Sequence, residues 1–517
     1  MSKESSDSLF LLIHRMSKSE KRFFKLMASR QEKGEGKFIR LFDRLEKMKT
    51  YDEETLLRLE PSLSRRQLPN QKTFLADYLL RCLTLCNSAD LPDLRLNELV
   101  SAARILYEKC LYRDCIRMID KARKAALKHE RPAQLLELLQ LESLVTRHSV
   151  RAHHAERVLE TVDRSQKLLK QLDTANRFRN LSIRLNTFYV QSGFIRNKQE
   201  LEKVARFFRK NLPAYDEKKL DFTEKLQLYY ALTGYYFFVQ DFTSGYRYAR
   251  RWVNLFEKRP EMIRDYTEMY IQALNSLLVV QNKLGRLREF EQVHRMLVSL
   301  KRNSPRPLTE NENLNLFKAI YIHELNRHFM RGEFRSGIRV VARLENELNR
   351  FIPLLDHHSL LLFYYKIACL YFGADQFKRA LFWLNRIILQ KDISVREDLH
   401  GFARILALIC HFELGNDRLA EAHIISLYRF LLRKGKISAY HQLILGFLRK
   451  LHRNVSPRGL DRLFRELKEK LLPLSRLRFE KKSFYYFDII TWLESRIEKR
   501  TMEQVIKEKA MLKLTGA

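Results

Sequence analysis

The chain has 517 residues, 45% of them hydrophobic, with 15 glycines, 11 prolines and a formal net charge of +35. That length is too great for one compact core, so several domains or an extended repeat are expected. So few glycines and prolines leave too few turn residues for a large sheet protein, which favours helices. No run reaches the ~18 apolar residues of a membrane span. The short apolar stretch Leu9 to Ile13 follows Glu4 and Asp7, not the basic segment of a secretory signal. The six cysteines (Cys82, Cys86, Cys110, Cys115, Cys369 and Cys410) sit in apolar helical patterns, where small hydrophobes belong. These features predict a soluble chain of the reducing cytoplasm. The charge surplus opposes folding through self-repulsion and asks for a cause: a polyanionic partner, or a basic bias of composition.

Residues 1–90 predict an N-terminal domain of short helices. Ser17 and Glu20 have the S-x-x-E spacing of a capping box, so a helix starts within "SKSEKRFFK". Phe23, Phe24 and Met27 form an apolar stripe on it, while Lys18, Lys21, Arg22 and Lys25 lie on the other side. The rings are therefore read as core and not as platforms for nucleic-acid bases. After Leu59 the chain reads helix, "EPSLSRRQLPN", helix, with Phe74, Leu75, Tyr78, Leu79 and Leu83 on the second member. This is a packed helical pair or, alternatively, a helix-turn-helix with a DNA-reading second helix.

From 91 to 435 one frame recurs. Tyr364-x2-Ile367-Ala368-x2-Tyr371 precedes Ala380-x3-Leu384, and Tyr229-x2-Leu232-Thr233-x2-Tyr236 precedes Gly245-x3-Ala249. Weaker copies use Leu99, Ala102, Ala103 and Leu106 with Cys115; Leu274, Leu277 and Leu278 with Phe290; and Tyr321, Leu325 and His328 with Gly337. A small residue at the crossing point lets two antiparallel helices approach, and such hairpins bury their faces only by stacking. The frame resembles the tetratricopeptide pattern W-x2-L-G-x2-Y followed by A-x3-F. The chain is thus similar, from Leu91 to Leu432, to the tetratricopeptide-like helical-repeat superfamily. Its SKSEKR element also resembles sparsely characterised bacterial repeat proteins, a likeness that implies no function.

Gly245, Phe290, Gly337 and Ala380 follow one another at intervals of 45, 47 and 43. Tetratricopeptide units run to ~34 residues and HEAT or armadillo units to ~40–47. The expected fold is all-α: a right-handed α-solenoid of lengthened tetratricopeptide-like hairpins, period about 43, with helical N-terminal and C-terminal caps. A HEAT-like stack is the alternative. Two further units are expected between Cys115 and Gly245, near Val158 and Val204.

In tetratricopeptide hairpins, positions 2, 5, 9 and 12 of the first helix line the concave face. The resemblance therefore implies a groove of Tyr230 and Phe237, Asn275 and Asn282, Asn326 and Phe329, and Tyr365 and Phe372. Their rings and amides suit an extended or helical peptide segment. The lysine clamp that some members use for a terminal carboxylate is absent here. The competing reading buries all eight residues between repeats.

Residues 436–517 predict a basic C-terminal helical cap and tail, with Ser456-Pro457 opening one helix. Between Leu431 and Phe487 fifteen bases face four acids. Arg449, Lys450 and Arg453 crowd the end of one helix. Arg458, Arg462 and Arg465 share a face of the next, and Lys481 and Lys482 follow. Aligned guanidinium groups suit phosphates, so these eight residues are the candidate polyanion surface for RNA, DNA or a ribonucleoprotein. The alternatives are a solvated amphipathic face, or a helix resting on an anionic membrane.

No phosphate-binding loop or nucleophile elbow occurs. "HELNRH", His323 to His328, resembles a zinc-protease helix, but histidines five apart diverge by about 140° where the working motif needs one face. Cys82 with Cys86 and Cys110 with Cys115 lack zinc-site spacing. His153-His154 and His357-His358 read as hairpin surface. No enzyme, metal or cofactor is expected. The functional expectation is a non-enzymatic cytoplasmic scaffold, holding a protein segment in the groove and a polyanion on the C-terminal surface. The alternative is a dedicated nucleic-acid-binding or transcription-related protein with no peptide ligand.

Overall fold

A computed structural model describes residues 8–31, 36–147, 154–192, 194–195, 197–390, 393, 396–416, 424–431, 438–451 and 457–515. Among them every regular element is a helix, and no helix is long and apolar enough to cross a membrane. The chain divides into two compact units, residues 1–166 and 167–517.

In the first unit, helices Ser8–Arg15, Lys18–Gln31, Lys37–Lys47, Glu53–Leu59 and Leu68–Asn87 enclose one apolar core. Ser17 and Glu20 cap each other as their spacing requires. The Glu20 amide donates to Ser17 Oγ (3.2 Å), and the Ser17 amide donates to the Glu20 carboxylate (2.7 Å). Phe24 is fully buried, while Lys25 pairs with Asp43 (2.8 Å) and Lys21 with Glu46 (3.2 Å). Two of the four bases in the opening stretch are thus already matched by helix Lys37–Lys47. Helix Leu68–Asn87 sends Leu75, Leu79 and Cys82 into the same core. Helices Pro92–Glu108, Tyr112–Lys128 and Pro132–Thr146 form a separate apolar cluster.

Cys110 departs from its expected place inside a helix. It is exposed in the turn after Pro92–Glu108, at φ 58°. The Leu111 amide reaches back to the Leu106 carbonyl (3.0 Å) and the Cys110 amide to Tyr107 (2.9 Å), the two bonds of a helix end closed by a left-handed residue. The same left-handed closure recurs at Gln240, Gly285, Gly332, Asp375 and Gly415.

In the second unit helices pack in sequential pairs. Phe222–Phe238 lies on Phe242–Glu257, Thr267–Leu284 on Leu287–Asn303, Glu310–Arg331 on Phe334–Phe351, and His357–Gly373 on Phe377–Ile388. Each first helix also packs on the first helix of the next pair, ending with Glu397–Glu413. This is the sequential stacking of an all-α solenoid. Side-chain carboxylates and hydroxyls set the helix starts. Asp221 with Glu224 and Thr309 with Glu312 form reciprocal capping boxes. Ala380 is fully buried at its small-residue position. At Gly337 a β-carbon would lie 2.8 Å from Leu370 Cδ1 on the first helix of the next pair, so a larger side chain there would have to displace Leu370.

Two expectations are corrected. No break within residues 154–192 separates the units expected near Val158 and Val204: His154–Ser192 is one continuous helix of 39 residues. It contains no glycine or proline to break it, and Val204 lies in the separate helix Lys198–Asn211. Where the sequence reads a tail, Met502–Thr515 is a helix packed on Glu310–Arg331. Gly332, at φ 64°, sits beneath it, where a β-carbon would come within 2.9 Å of Ile506.

These contacts separate two glycines that share one motif position. Gly337→Val is expected to cost about 1–3 kcal/mol by overpacking. At Gly245 the nearest atom to a β-carbon is 3.6 Å away, so Gly245→Ala is expected to be neutral or stabilising by up to about 1 kcal/mol. Urea unfolding of both variants decides; equal destabilisation would contradict the packing described.

Candidate functional site: a cationic cavity in the second unit

The first helices of four successive pairs turn their equivalent positions toward one cavity of about 1280 Å³. That exceeds the roughly 300–1,000 Å³ of ordinary small-molecule pockets. Seven of the eight groove residues line it: Tyr230, Phe237, Asn275, Asn282, Asn326, Phe329 and Tyr365. Tyr230, Phe237, Asn275, Asn282 and Phe329 are partly exposed, whereas Asn326 and Tyr365 are buried at its wall. Phe372 is the exception. It is 1% exposed and does not reach the cavity, because Phe487 covers it edge-on with ring centroids 5.1 Å apart.

Phe487 belongs to a segment that sequence reasoning missed. After helix Pro457–Arg476 the chain returns along the groove through helix Lys481–Phe484 and residues 485–488. Arg478 donates to the Val239 carbonyl (2.9 Å), Tyr485 meets Phe242 edge-on (5.6 Å), and Tyr486 stacks on Phe402 (4.4 Å). The returning segment therefore touches the turn between Phe222–Phe238 and Phe242–Glu257 at one end and helix Glu397–Glu413 at the other. Beyond it, Trp492 Nε1 and Arg496 Nε both donate to Glu413 (2.7 Å each).

A buried ionic cluster fixes that segment. Arg396 donates to both Asp398 oxygens (2.9 Å each), and Tyr486 donates to Asp398 as well. Burial works against the Asp398 carboxylate, but Arg396 and the Tyr486 hydroxyl outweigh it and bring its pKa to about 2. Arg396 also approaches His358 Nδ1 (3.4 Å) and the face of Tyr189 (6.0 Å). His358, expected on a hairpin surface, instead lines the cavity, where burial and then the Arg396 charge lower its pKa to about 4.

The wall of the cavity carries a chain of amides and one imidazole. Lys366 Nζ donates to Asn326 Oδ1 (2.6 Å), Asn326 Nδ2 faces His323 Nδ1 (3.2 Å), and His323 Nε2 faces Asn275 Oδ1 (2.9 Å). These contacts are all satisfied when neutral His323 carries its proton on Nε2. Burial, then the charges on His294 and Lys366, holds the imidazole far below its ordinary pKa. His323 of "HELNRH" is thus a bridge between two groove asparagines. His328 of the same stretch is buried beside Glu324, Glu333 and Ser336. Among the described residues no group of side chains is arranged to hold a metal ion.

Lys283 and Lys366 are the unusual charges. Lys283 Nζ sits 4.3 Å from the Tyr485 ring centroid, and Lys366 Nζ lies 5.5 Å from that of Phe329. Neither has a carboxylate partner among the described residues. Burial, then the charges of Lys366 and Arg396, lowers Lys283 to about 7. Burial, helped by Arg396, lowers Lys366 to about 8. Neither lysine was singled out in the sequence. Each directly follows a groove position, Asn282 or Tyr365, but 96 lysines and arginines in the chain hide such a signal.

The basic residues of the C-terminal region separate into two places. Arg449 and Lys450 are exposed at the end of Ala439–Leu451, with Arg449 over the Tyr428 ring (5.1 Å). Arg458, Arg462 and Arg465 are exposed on Pro457–Arg476, which packs on that helix. Arg462 donates to Glu466 (3.0 Å) and Arg465 to Asp461 (2.9 Å). Lys481 lies apart from them and lines the cavity. Arg453 and the side chain of Lys482 lie outside the described residues.

The two lysines make stability depend on pH. Their ordinary pKa is 10.5, and folding depresses both. Above about pH 7 the unfolded chain therefore binds more protons, and stability rises with pH; the cost of charging both groups is fully present below that point. Lys283→Met is expected to raise the melting temperature at pH 7 and to flatten the rise between pH 7 and 9. A lower melting temperature with an unchanged slope would contradict the assignment. Asp398→Asn, which leaves Arg396 buried without its counter-charge, is expected to cost about 3–5 kcal/mol in denaturant unfolding.

No protein-family model matches the chain, and comparison with curated proteins and with solved structures finds no match either.

Proposed function

We propose that this protein is a non-enzymatic cytoplasmic scaffold that holds a protein segment in the cavity of its second unit. The observation that carries the reading is the convergence of seven repeat-equivalent positions, with rings and amides, on one partly closed cavity. Aromatic walls bury apolar side chains of a segment, and Asn275, Asn282 and Gln272 offer amides to its backbone. With this function we infer the finer architecture: a right-handed superhelix of lengthened tetratricopeptide-like hairpins, period about 43, with helical caps.

Peptide display against the full chain, followed by anisotropy titration of the enriched segment, tests the reading. Tyr230→Ala and Phe237→Ala are each expected to weaken binding about tenfold, the usual cost of truncating an aromatic anchor. Tyr230 also packs on Trp252 (5.3 Å) and Phe237 on Phe194 (5.1 Å), so urea unfolding of each variant accompanies the titration and only folded variants count. Failure to enrich any segment, or enrichment insensitive to both substitutions, would contradict it.

A polyanion surface is a second reading, favoured by Arg449, Lys450, Arg458, Arg462 and Arg465, exposed on two helices that pack together. The Arg462–Glu466 and Arg465–Asp461 pairs do not disqualify it. Exposed pairs of this spacing are worth only about 0.3–0.5 kcal/mol and exchange readily for a phosphate. Six phosphate contacts would give a salt slope of about −5 on duplex DNA and about −4 on single strands. Changing Arg458, Arg462 and Arg465 together to glutamate should weaken RNA or DNA binding by orders of magnitude at low salt. Unchanged affinity and slope in a folded triple variant would mark the cluster as a solvated face.

A further inference from the structure

We propose that helices Lys198–Asn211, Phe222–Phe238 and Phe242–Glu257 present a face for single-stranded nucleic acid, with bases stacking on Tyr236 and Tyr248 and phosphates held by Arg209 and Arg247. None of these four residues lines the cavity, so this face is independent of the peptide groove. Its helices are also other than those of the C-terminal arginine cluster.

A row of rings crosses the three helices. Phe208 stacks on Tyr235 (centroids 3.7 Å apart), Tyr235 meets Tyr236 edge-on (5.1 Å), and Tyr236 lies parallel to Tyr248 (5.4 Å). Phe208 is buried under one end of the row, and the three tyrosines are partly exposed. Tyr229 and Tyr246, on the same helices, donate their hydroxyls to Glu217 and Glu289 (2.6 Å each). The hydroxyls of Tyr235, Tyr236 and Tyr248 have no protein partner among the described residues. These rings are held in place by one another, with their polar ends left to solvent.

Unpaired cations flank the row. The Arg247 and Arg251 guanidinium groups lie 5.4 and 5.5 Å from the Tyr248 ring centroid. Burial raises the Tyr235 pKa, and the nearby charges of Arg209 and Arg478 pull it back. Arg206, Arg209, Lys210 and Arg247 are exposed and have no carboxylate partner among the described residues. Two acids beside the row are engaged. Glu217 accepts from Arg251 (2.9 Å), and Asp241 caps helix Phe242–Glu257 through the Ser244 amide (3.0 Å).

This surface matches a partner that alternates flat, uncharged rings with single negative charges. Single-stranded nucleic acid is such a chain: unpaired bases splay onto aromatic side chains while phosphates meet arginine. A duplex hides its bases in its own stack and offers this face phosphates alone. An acidic peptide answers the cations but brings no flat group for the phenols.

Fluorescence anisotropy of the full chain decides, with labelled oligouridylate, oligodeoxythymidylate, an abasic deoxyribose-phosphate chain and polyglutamate, all of equal length. At least one base-bearing strand should bind about tenfold or more tightly than the abasic chain, the usual effect of a stacked base. Which strand does so identifies RNA or DNA. Tyr236→Leu and Tyr248→Leu, which keep an apolar side chain, should each remove the preference without changing abasic binding. Arg209→Gln with Arg247→Gln, both at exposed positions, should weaken every probe and flatten the salt slope by about 1.4. Changing Arg458, Arg462 and Arg465 together to glutamate removes the other cationic surface. That variant should keep the preference and bind the strand more tightly than a DNA duplex. Equal wild-type binding of the abasic chain, a result that needs no variant to fold, would overturn the proposal. A preference kept in both leucine variants, or lost in the glutamate variant, would overturn it too. So would a salt slope unchanged in the arginine variant, a duplex bound as tightly as the strand, tighter binding of polyglutamate, or binding of no probe.

Discussion

The guanidinium of Arg396 has 4% of its side chain exposed and faces Asp398, which also accepts from Tyr486. Asp398 lies at the start of the last described helix that stacks in repeat order, and Tyr486 lies on the segment that returns along the groove. The ion pair lies within the repeat stack, and the Tyr486 hydroxyl, which donates to Asp398 and accepts from Arg396 (3.3 Å), joins it to the segment that partly fills the concavity. Phe487 on Phe372 and Tyr486 on Phe402 add apolar area at the same point. Opening the segment would expose those rings and leave Asp398 and Arg396 without the Tyr486 hydroxyl, which makes the closed arrangement the favoured one.

Closure changes the chemistry of what remains. A groove open to water would leave Lys283 and Lys366 well hydrated, with ordinary pKa values. With Tyr485 over Lys283, and with Lys366 tied to Asn326, both ammonium groups face a cavity of limited volume. The same low dielectric strengthens their attraction for any anion that enters. The His323 bridge holds Asn275 and Asn326 in fixed orientations, so the amides facing the cavity are set before a ligand arrives.

Much of the fold was legible because its signals are local. The capping boxes, the small residues at helix crossings and the recurring frame specify helix starts and pairings within windows of a few tens of residues. The groove positions were legible for the same reason: equivalent places in successive hairpins face one way. The continuous helix His154–Ser192 was misread because a repeat count was carried across residues that contain no breaker. The return of residues 476–490 was not legible at all. It depends on contacts such as Arg478 with Val239 and Tyr486 with Asp398, between residues distant in sequence and without a motif. Phe372 was lost to the groove for that reason, and Lys481 moved from the expected basic surface to the cavity. The left-handed helix closures were obscured too, since Cys110, Gln240 and Asp375 occupy places where glycine would have announced them.

The central claim is that two lysines share one cavity without a counter-ion, and it is open to direct measurement. Titration of the lysine side chains by NMR, assigned with Lys283→Met and Lys366→Met, reads their protonation in the folded protein without any ligand. The structure predicts midpoints of about 7 for Lys283 and about 8 for Lys366, apart from the bulk of the lysines. Midpoints near the ordinary value of 10.5 for both would mean hydrated or paired ammonium groups, and would contradict the account.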